Sequence, residues 1–176
     1  MSVKQLLDLS GKVAFITGGS RCLGLQMAEA LGELGAKIAI SARKQHELDA
    51  AKEHLESQGV TVVTIAADLG DLEGIPKVVD QVIEQLGDID ILVNNAGGPP
   101  PGMWSDWGRK EWMAAIEGNM LTPILLTTAV LPRMIDQGWG RVVNITSQSV
   151  KSPIGVLGLS NGASDWLTGF AAATAR

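Results

Sequence analysis

A glycine-rich segment near the start of the chain has the residue types and spacing of a phosphate-binding turn. Residues 17–24 read TGGSRCLG and directly follow the apolar run at 13–16. Glycines between a strand and a helix let the backbone approach a pyrophosphate closely, and the N–H groups at the helix start then point at the anion. We interpret the segment as the pyrophosphate site of a dinucleotide; the alternative is a tight turn that binds no ligand.

Basic residues near the end of the second predicted strand indicate which dinucleotide to expect. An acidic residue there would bond the ribose 2′-OH of NAD, whereas a basic residue accommodates the 2′-phosphate of NADP. Residues 40–43 read ISAR and end in Arg43, and the glycine segment contributes Arg21. Two arginines on one phosphate form strong charge-assisted hydrogen bonds. We therefore expect NADP (NADPH) to be preferred over NAD; alternatively, Arg43 only begins a solvated helix face.

The elements that must position these residues alternate regularly along the chain. Apolar runs predict strands at 12–17, 36–41, 61–66, 89–94 and 141–146. Segments of helical period predict helices at 24–34, 46–58, 71–86, from about 103 to 137, and from about 160 onward. Alternating strands and helices imply a parallel sheet covered on both faces. The expected fold class is α/β, a Rossmann-type doubly wound sheet that lacks its C-terminal strands, since the usual sheet has a sixth.

Length, charge and cysteine content narrow the class of protein. The 176 residues correspond to one domain, so we expect a single dinucleotide-binding domain over 1–176, truncated at its C-terminus. A net charge of −5 argues against nucleic acid or an anionic membrane as partner. Cys22 is the only cysteine, and the N-terminus lacks the apolar core of a signal peptide. We expect a cytoplasmic protein without a metal site, since no His/Cys cluster is present.

The glycine segment and two later motifs together resemble the short-chain dehydrogenase/reductase family. These motifs are Asp68 after the third predicted strand and the sequence NNAG at 94–97. The resemblance implies a set of cofactor-binding residues: Gly18, Ser20, Arg21, Leu23, Gly24, Arg43, Asp68, Leu69, Asn95, Ala96 and Gly97. Cys22 stands where the family has a glycine, and its Cβ would crowd the approach to the pyrophosphate. Its thiol is either a small packed group or a redox-sensitive one at a helix start.

The same resemblance implies four catalytic positions, of which two carry unexpected residues. Asn119 matches the asparagine that shapes a helix and holds a water, and Ser147 matches the serine that polarises the substrate carbonyl. Ser160 and Ser164 stand where the family has its catalytic tyrosine and lysine, and the chain contains no tyrosine. Losing a positioned general acid costs about 10²–10⁴-fold in rate. Ser147 could alternatively be only a hydroxyl at a strand end.

Two functions remain open at this point. One is an NADP-dependent oxidoreductase that transfers hydride to or from a small carbonyl or alcohol substrate through an atypical proton relay. The other is a catalytically impaired or inactive NADP-binding sensor or partner subunit. A third possibility is that a missing C-terminal part, or a partner, supplies a replacement for the lost acid. The resemblance further implies a homodimer or homotetramer, because helices of this family often pair between subunits.

Overall fold

Five parallel strands form one sheet in the order β3-β2-β1-β4-β5. The computed structural model describes residues 7–175. The strands are β1 (Val13–Thr17), β2 (Lys37–Ala42), β3 (Val62–Ala66), β4 (Ile91–Asn94) and β5 (Arg141–Asn144). The chain order reverses between β1 and β4, and ligands of open α/β sheets bind beyond the carboxyl ends of the strands at such a point. The predicted Rossmann-type fold is confirmed.

Six α-helices cover the two faces of this sheet in the described part of the chain. They are α1 (Cys22–Glu33), α2 (Gln45–Ser57), α3 (Ile75–Leu86), α4 (Arg109–Ile116), α5 (Thr122–Asp136) and α6 (Gly158–Thr174). The segment predicted as a helix over 71–86 begins instead with a 3₁₀ turn, Leu72–Gly74. Pro76 explains the difference, because a proline has no N–H for the helical ladder and fits best in the first turn of an α-helix.

Each face of the sheet buries its own apolar core. Phe15 of β1 packs on one face with Val82 of α3 and Leu126 of α5. Its neighbour Ile16 points to the opposite face, in the cluster that contains Leu48 of α2. All five side chains are fully buried, and burial of each such side chain contributes about 1.5–3 kcal/mol. The two cores fix where the strand ends lie, and the residues that follow those ends form the site.

One long helical run, Arg109–Asp136, has the length of a membrane span and contains an 18-residue window with a mean hydropathy of 1.4. It is not one regular α-helix, because the π-helical turn Glu117–Leu121 separates α4 from α5. Leu126, Val130 and Met134 of α5 pack into the core beneath the sheet. The buried face of α5 therefore belongs to the core under the sheet, and 39% of the apolar window is buried.

Candidate cofactor-binding and active site

A groove of about 740 Å³ runs along the carboxyl ends of β1, β2, β3 and β4. Its volume lies within the roughly 300–1,000 Å³ of ligand sites in proteins. The residues predicted to bind the cofactor all line it: Gly18, Ser20, Arg21, Leu23, Gly24, Arg43, Asp68, Leu69, Asn95, Ala96 and Gly97. The sheet thus brings residues from four separate loops to one surface, at the point where the strand order reverses.

The turn between β1 and α1 has a backbone that glycine suits best. Gly18 has a φ of +60°, and Cys22 has a φ of +48°. A Cβ on Gly24 would lie 2.1 Å from the carbonyl oxygen of Gly18, so a side chain there is excluded. Cys22 has the one positive φ of a non-glycine residue between residues 7 and 175. A left-handed conformation costs a residue with a Cβ about 1–2 kcal/mol, so Cys22 is strained at the groove wall.

Asn95 anchors the glycine turn to the end of β4. Its backbone N–H donates to Oγ1 of Thr17 (2.9 Å), and its side-chain amide donates to the carbonyl oxygens of Thr17 (3.0 Å) and Gly18 (3.2 Å). The three hydrogen bonds cross between two neighbouring strands of the sheet. They hold the backbone of the turn at a fixed distance from the loop that begins at Ala96.

Cationic side chains gather at the end of the groove next to β2. The guanidinium of Arg43 makes no hydrogen bond or ion pair with any residue from 7 to 175 and lines the groove. By contrast, Lys44 donates to Oε1 of Glu47 (2.9 Å), and Nη1 of Arg21 lies 3.9 Å from the same oxygen. The hydrogen bond from Lys44 is the main reason that the pKa of Glu47 lies below its ordinary value of 4.5.

Two further observations fit a dinucleotide in this groove. The hydroxyl of Ser41, at the end of β2, is buried and has no hydrogen-bond partner among the described residues, and Ser41 lines the groove. Gly97 and Gly98 also line it, and a Cβ on either would meet nothing within 4 Å, so the space over them is open. The groove therefore offers what a phosphate-bearing nucleotide requires: cationic side chains, the hydroxyl of Ser41 as a hydrogen-bonding group, and open space over Gly97 and Gly98.

The first of the four predicted catalytic positions, Ser147, follows β5 and begins a 3₁₀ turn. Its Oγ accepts hydrogen bonds from the backbone N–H (3.1 Å) and the hydroxyl (2.8 Å) of Ser149. Ser149 is completely buried, which holds both donors in place. A serine hydroxyl has two acceptor lone pairs and one proton to donate. Since both lone pairs of Ser147 are in use, its proton is left to bond an outside acceptor.

Asn119 lies within the π-helical turn between α4 and α5 and lines the groove. Such π-helical turns are frequent at functional sites. A small cavity of about 30 Å³ adjoins Asn119, and the side-chain oxygen of Asn94, which also lines it, is buried without a hydrogen-bond partner in the described chain. The cavity is large enough for a water, and a buried water needs polar partners of this kind.

Ser160 and Ser164 lie one turn apart near the start of α6. Ser160 is half-buried and Ser164 is buried, and neither lines the groove, although their neighbour Leu159 does. Helix α6 packs against both the π-helical turn with Asn119 and the 3₁₀ turn after Ser147. The fold thus brings the segments that carry the four positions together. It does not place a long acidic or basic side chain at position 160 or 164.

Tryptophans dock the loop after β4 onto the start of α6. Trp107 and Trp112 meet edge to face, with ring centroids 6.2 Å apart. A Cβ on Gly158 would lie 2.7 Å from the ring of Trp107, so glycine is required where the loop crosses the helix. The backbone N–H of Gly102 also donates to the carbonyl oxygen of Val156 (2.9 Å). These contacts fix the N-terminal turn of the helix that carries Ser160.

Three residues of the site are not indicated by any sequence motif. Lys44 and Glu47 line the groove, but along the chain they look like an ordinary charged helix start. Ser149 orients Ser147 but lies in an undistinguished polar stretch. The only sequence signal for Glu47 is its position in the first turn of α2, which follows the strand that ends beside the groove.

Comparison with known proteins agrees with this geometry. The family model described as short chain dehydrogenase matches residues 12–164. Gluconate 5-dehydrogenase of Gluconobacter oxydans (strain 621H) is 34% identical over 147 residues, which are 84% of this chain and 57% of that protein. A metagenomic short-chain oxidoreductase solved with NADP superposes with a TM-score of 0.89, at 34% identity, over 95% of this chain and 76% of that one.

A second solved structure has the same fold. L-Sorbose reductase from Gluconobacter frateurii, complexed with NADPH and L-sorbose, superposes with a TM-score of 0.88 at 32% identity, over 93% of this chain and 63% of that one. The chain spans about half the length of the curated relatives that it matches. The family model covers most of the chain, the sheet has the expected order, and the glycine turn lies at its switch point. The chain therefore belongs to the short-chain dehydrogenase family.

Proposed function

We propose that this chain binds NADPH in preference to NADH and transfers hydride between that cofactor and a small carbonyl or alcohol substrate through an atypical proton relay. The observation that carries the cofactor preference is Arg43, whose guanidinium has no partner among residues 7–175 and lies in the same groove as the glycine turn. An arginine with no protein partner is available to a phosphate, and it binds one in a bidentate manner. Family members have been solved with NADP and with NADPH.

The chain's own residues would bind and orient the reactants. When bound, NADPH supplies the hydride, and the protein contributes position and electrostatics. Asn95 holds the glycine turn for the pyrophosphate. The hydroxyl of Ser147, which accepts from Ser149, would donate a hydrogen bond to the carbonyl oxygen of the substrate. Positioning of this kind lowers the barrier to hydride transfer even where the positioning group gives up no proton. The proton itself would be relayed from solvent through a water near Asn119, which is reprotonated by bulk water, because the hydroxyl of Ser160 is a far weaker acid than the phenol that the family has there.

The second candidate is a nucleotide-binding subunit without appreciable turnover. It is favoured by the serines at positions 160 and 164, which stand where the family has its catalytic tyrosine and lysine. The retained Ser147, together with Asn119, favours the enzyme instead, since a protein that only binds the nucleotide has less use for them. In either case we place the protein in the cytoplasm, as a homodimer or homotetramer.

Calorimetric titration with NADPH and NADH tests the cofactor assignment. We expect the wild-type chain to bind NADPH more tightly, and Arg43→Ala to lose roughly ten- to hundredfold in NADPH affinity with little change for NADH, the range for hydrogen bonds to a charged group. Lys77→Ala is the matched control, because Lys77 is an exposed cation on α3 outside the groove. Equal effects of the two substitutions, or no binding of NADPH by the wild type, would contradict the assignment.

A turnover assay separates the enzyme from the binding subunit. NADPH oxidation is followed with a panel of small ketones and aldehydes, for the wild-type chain and for Ser147→Ala. We expect slow turnover in the wild type that falls further in the variant, at unchanged NADPH affinity, since removal of one oxyanion donor costs about 10²–10³-fold. Tight NADPH binding with no turnover of any substrate would leave only the binding subunit.

A further inference from the structure

Glu47 holds the donors that a 2′-phosphate would need. Its carboxylate accepts from Nζ of Lys44 at 2.9 Å and from the hydroxyl of Ser20 at 3.3 Å, and Arg21 lies 3.9 Å away. Lys44 comes from the same helix start, but Ser20 and Arg21 come from the glycine turn. All four residues line the groove beside Arg43. An acidic side chain thus occupies the centre of the basic end of the groove.

A carboxylate and a phosphate monoester compete for the same partners. Both are anions that accept hydrogen bonds from ammonium, guanidinium and hydroxyl groups. The side chain of Glu47 is 22% exposed and lines the groove, so its carboxylate lies at the groove wall beside these donors. For a phosphate to take up Lys44, Arg21 and Ser20, Glu47 must release them and then lie beside a second anion. Both steps reduce the affinity for a phosphate.

We propose that Glu47 discriminates between the two nicotinamide cofactors by acting as an internal anion that competes with the 2′-phosphate of NADPH. The inference rests on the proposed function, in that the groove must bind a nicotinamide dinucleotide. Arg43 has no hydrogen bond or ion pair with Glu47 and remains available to the 2′-phosphate, so the protein still prefers NADPH. Glu47 makes that preference smaller. The ratio of NADPH to NADH affinity is thus set by a balance between Arg43, which has no ion pair in the described part of the chain, and the internal anion Glu47.

NADH is not subject to the same competition. It has a ribose 2′-OH where NADPH has the phosphate, and a hydroxyl can donate to a carboxylate. Glu47 can therefore keep its ion pairs while NADH binds. The lowered pKa of Glu47 means that the carboxylate is ionised at neutral pH and carries its full charge.

The test is a calorimetric titration of NADPH and NADH into the wild-type chain, Glu47→Gln and Glu53→Gln. Glu53 is the matched control, since it is an exposed acid on the same helix with no ion pair among the described residues and lies outside the groove. We expect Glu47→Gln to raise NADPH affinity about three- to tenfold, with NADH affinity unchanged or lower. Glu53→Gln should leave the affinity ratio at its wild-type value.

The outcomes distinguish failure of this inference from failure of the proposed function. NADH affinity and thermal unfolding report whether Glu47→Gln is folded. If the wild type binds NADPH but Glu47→Gln binds it no better than Glu53→Gln does, the inference is wrong and the proposed function stands. A loss of NADPH affinity in Glu47→Gln would also overturn it, because Glu47 would then be orienting Lys44 and Arg21 for the phosphate. If the wild type binds neither cofactor, both are wrong.

Discussion

Replacing Cys22 with glycine should stabilise the protein, although the substitution is made at the start of a helix. With a φ of +48°, Cys22 holds a conformation that costs a residue with a Cβ about 1–2 kcal/mol. Glycine removes that cost but loses about 0.4–1 kcal/mol through the greater freedom of the unfolded chain. The net gain in free energy of unfolding is therefore about 0–1.6 kcal/mol, with a midpoint of about 0.8 kcal/mol. For a domain of this size, 1 kcal/mol shifts the Tm by about 2–4 °C.

The sharper form of this prediction compares glycine with alanine at the same position. Alanine removes the thiol but keeps the Cβ, so Cys22→Ala should retain the strain. In an ordinary helix alanine is more stable than glycine by about 1 kcal/mol. At position 22 we expect the reverse order, with Cys22→Gly unfolding at the higher temperature. Scanning calorimetry of the two variants without ligand measures the difference directly.

The same pair of variants tests the effect of Cys22 on the ligand groove. A Cβ at this position narrows the approach to the pyrophosphate, which NADPH and NADH share. Cys22→Gly should therefore bind both cofactors more tightly by the same factor, whereas Cys22→Ala should not. If Cys22→Ala proved the more stable variant, the assignment of strain to the backbone of residue 22 would be refuted.

Further predictions concern the proton donor, the buried carboxylate and pH. Ser160→Tyr with Ser164→Lys should raise NADPH-dependent carbonyl reduction by about 10²–10⁴-fold, measured as initial rates; bound cofactor without a rise would mean that the site geometry differs elsewhere. Asp90→Ala should lower the free energy of unfolding by about 1–3 kcal/mol in a denaturant titration, because it leaves the N–H of Val13 unpaired; a smaller loss would mean that water replaces the carboxylate. Because the folded-state pKa of Glu47 is depressed, the stability from its ion pairs is present at neutral pH and lost as the pH falls below about 4.5. The Tm of Glu47→Gln should accordingly fall less steeply with acid than that of the wild type, and parallel curves would contradict this.

Local sequence patterns were sufficient to predict the scaffold. The alternation of apolar runs with helical segments predicts the five-stranded parallel sheet, because a strand buried on both faces must be apolar throughout. Glycines placed between β1 and α1 predict the turn, since the backbone there needs positive φ at Gly18 and no side chain at Gly24. Patterns of this kind are local, because they reflect the burial and the backbone conformation of the same residues that form the pattern.

Contacts between distant segments were decided only by the tertiary structure. Glu47 meets Ser20 because the sheet places the ends of β1 and β2 side by side, and nothing near either residue in the sequence signals the pair. The π-helical turn at Asn119 likewise depends on the packing of α5 and α6 around it. Periodicity records which face of an element is buried, whereas hydrogen bonds and ion pairs depend on which other element lies opposite. That choice is made by the order of the strands and the fit of the core.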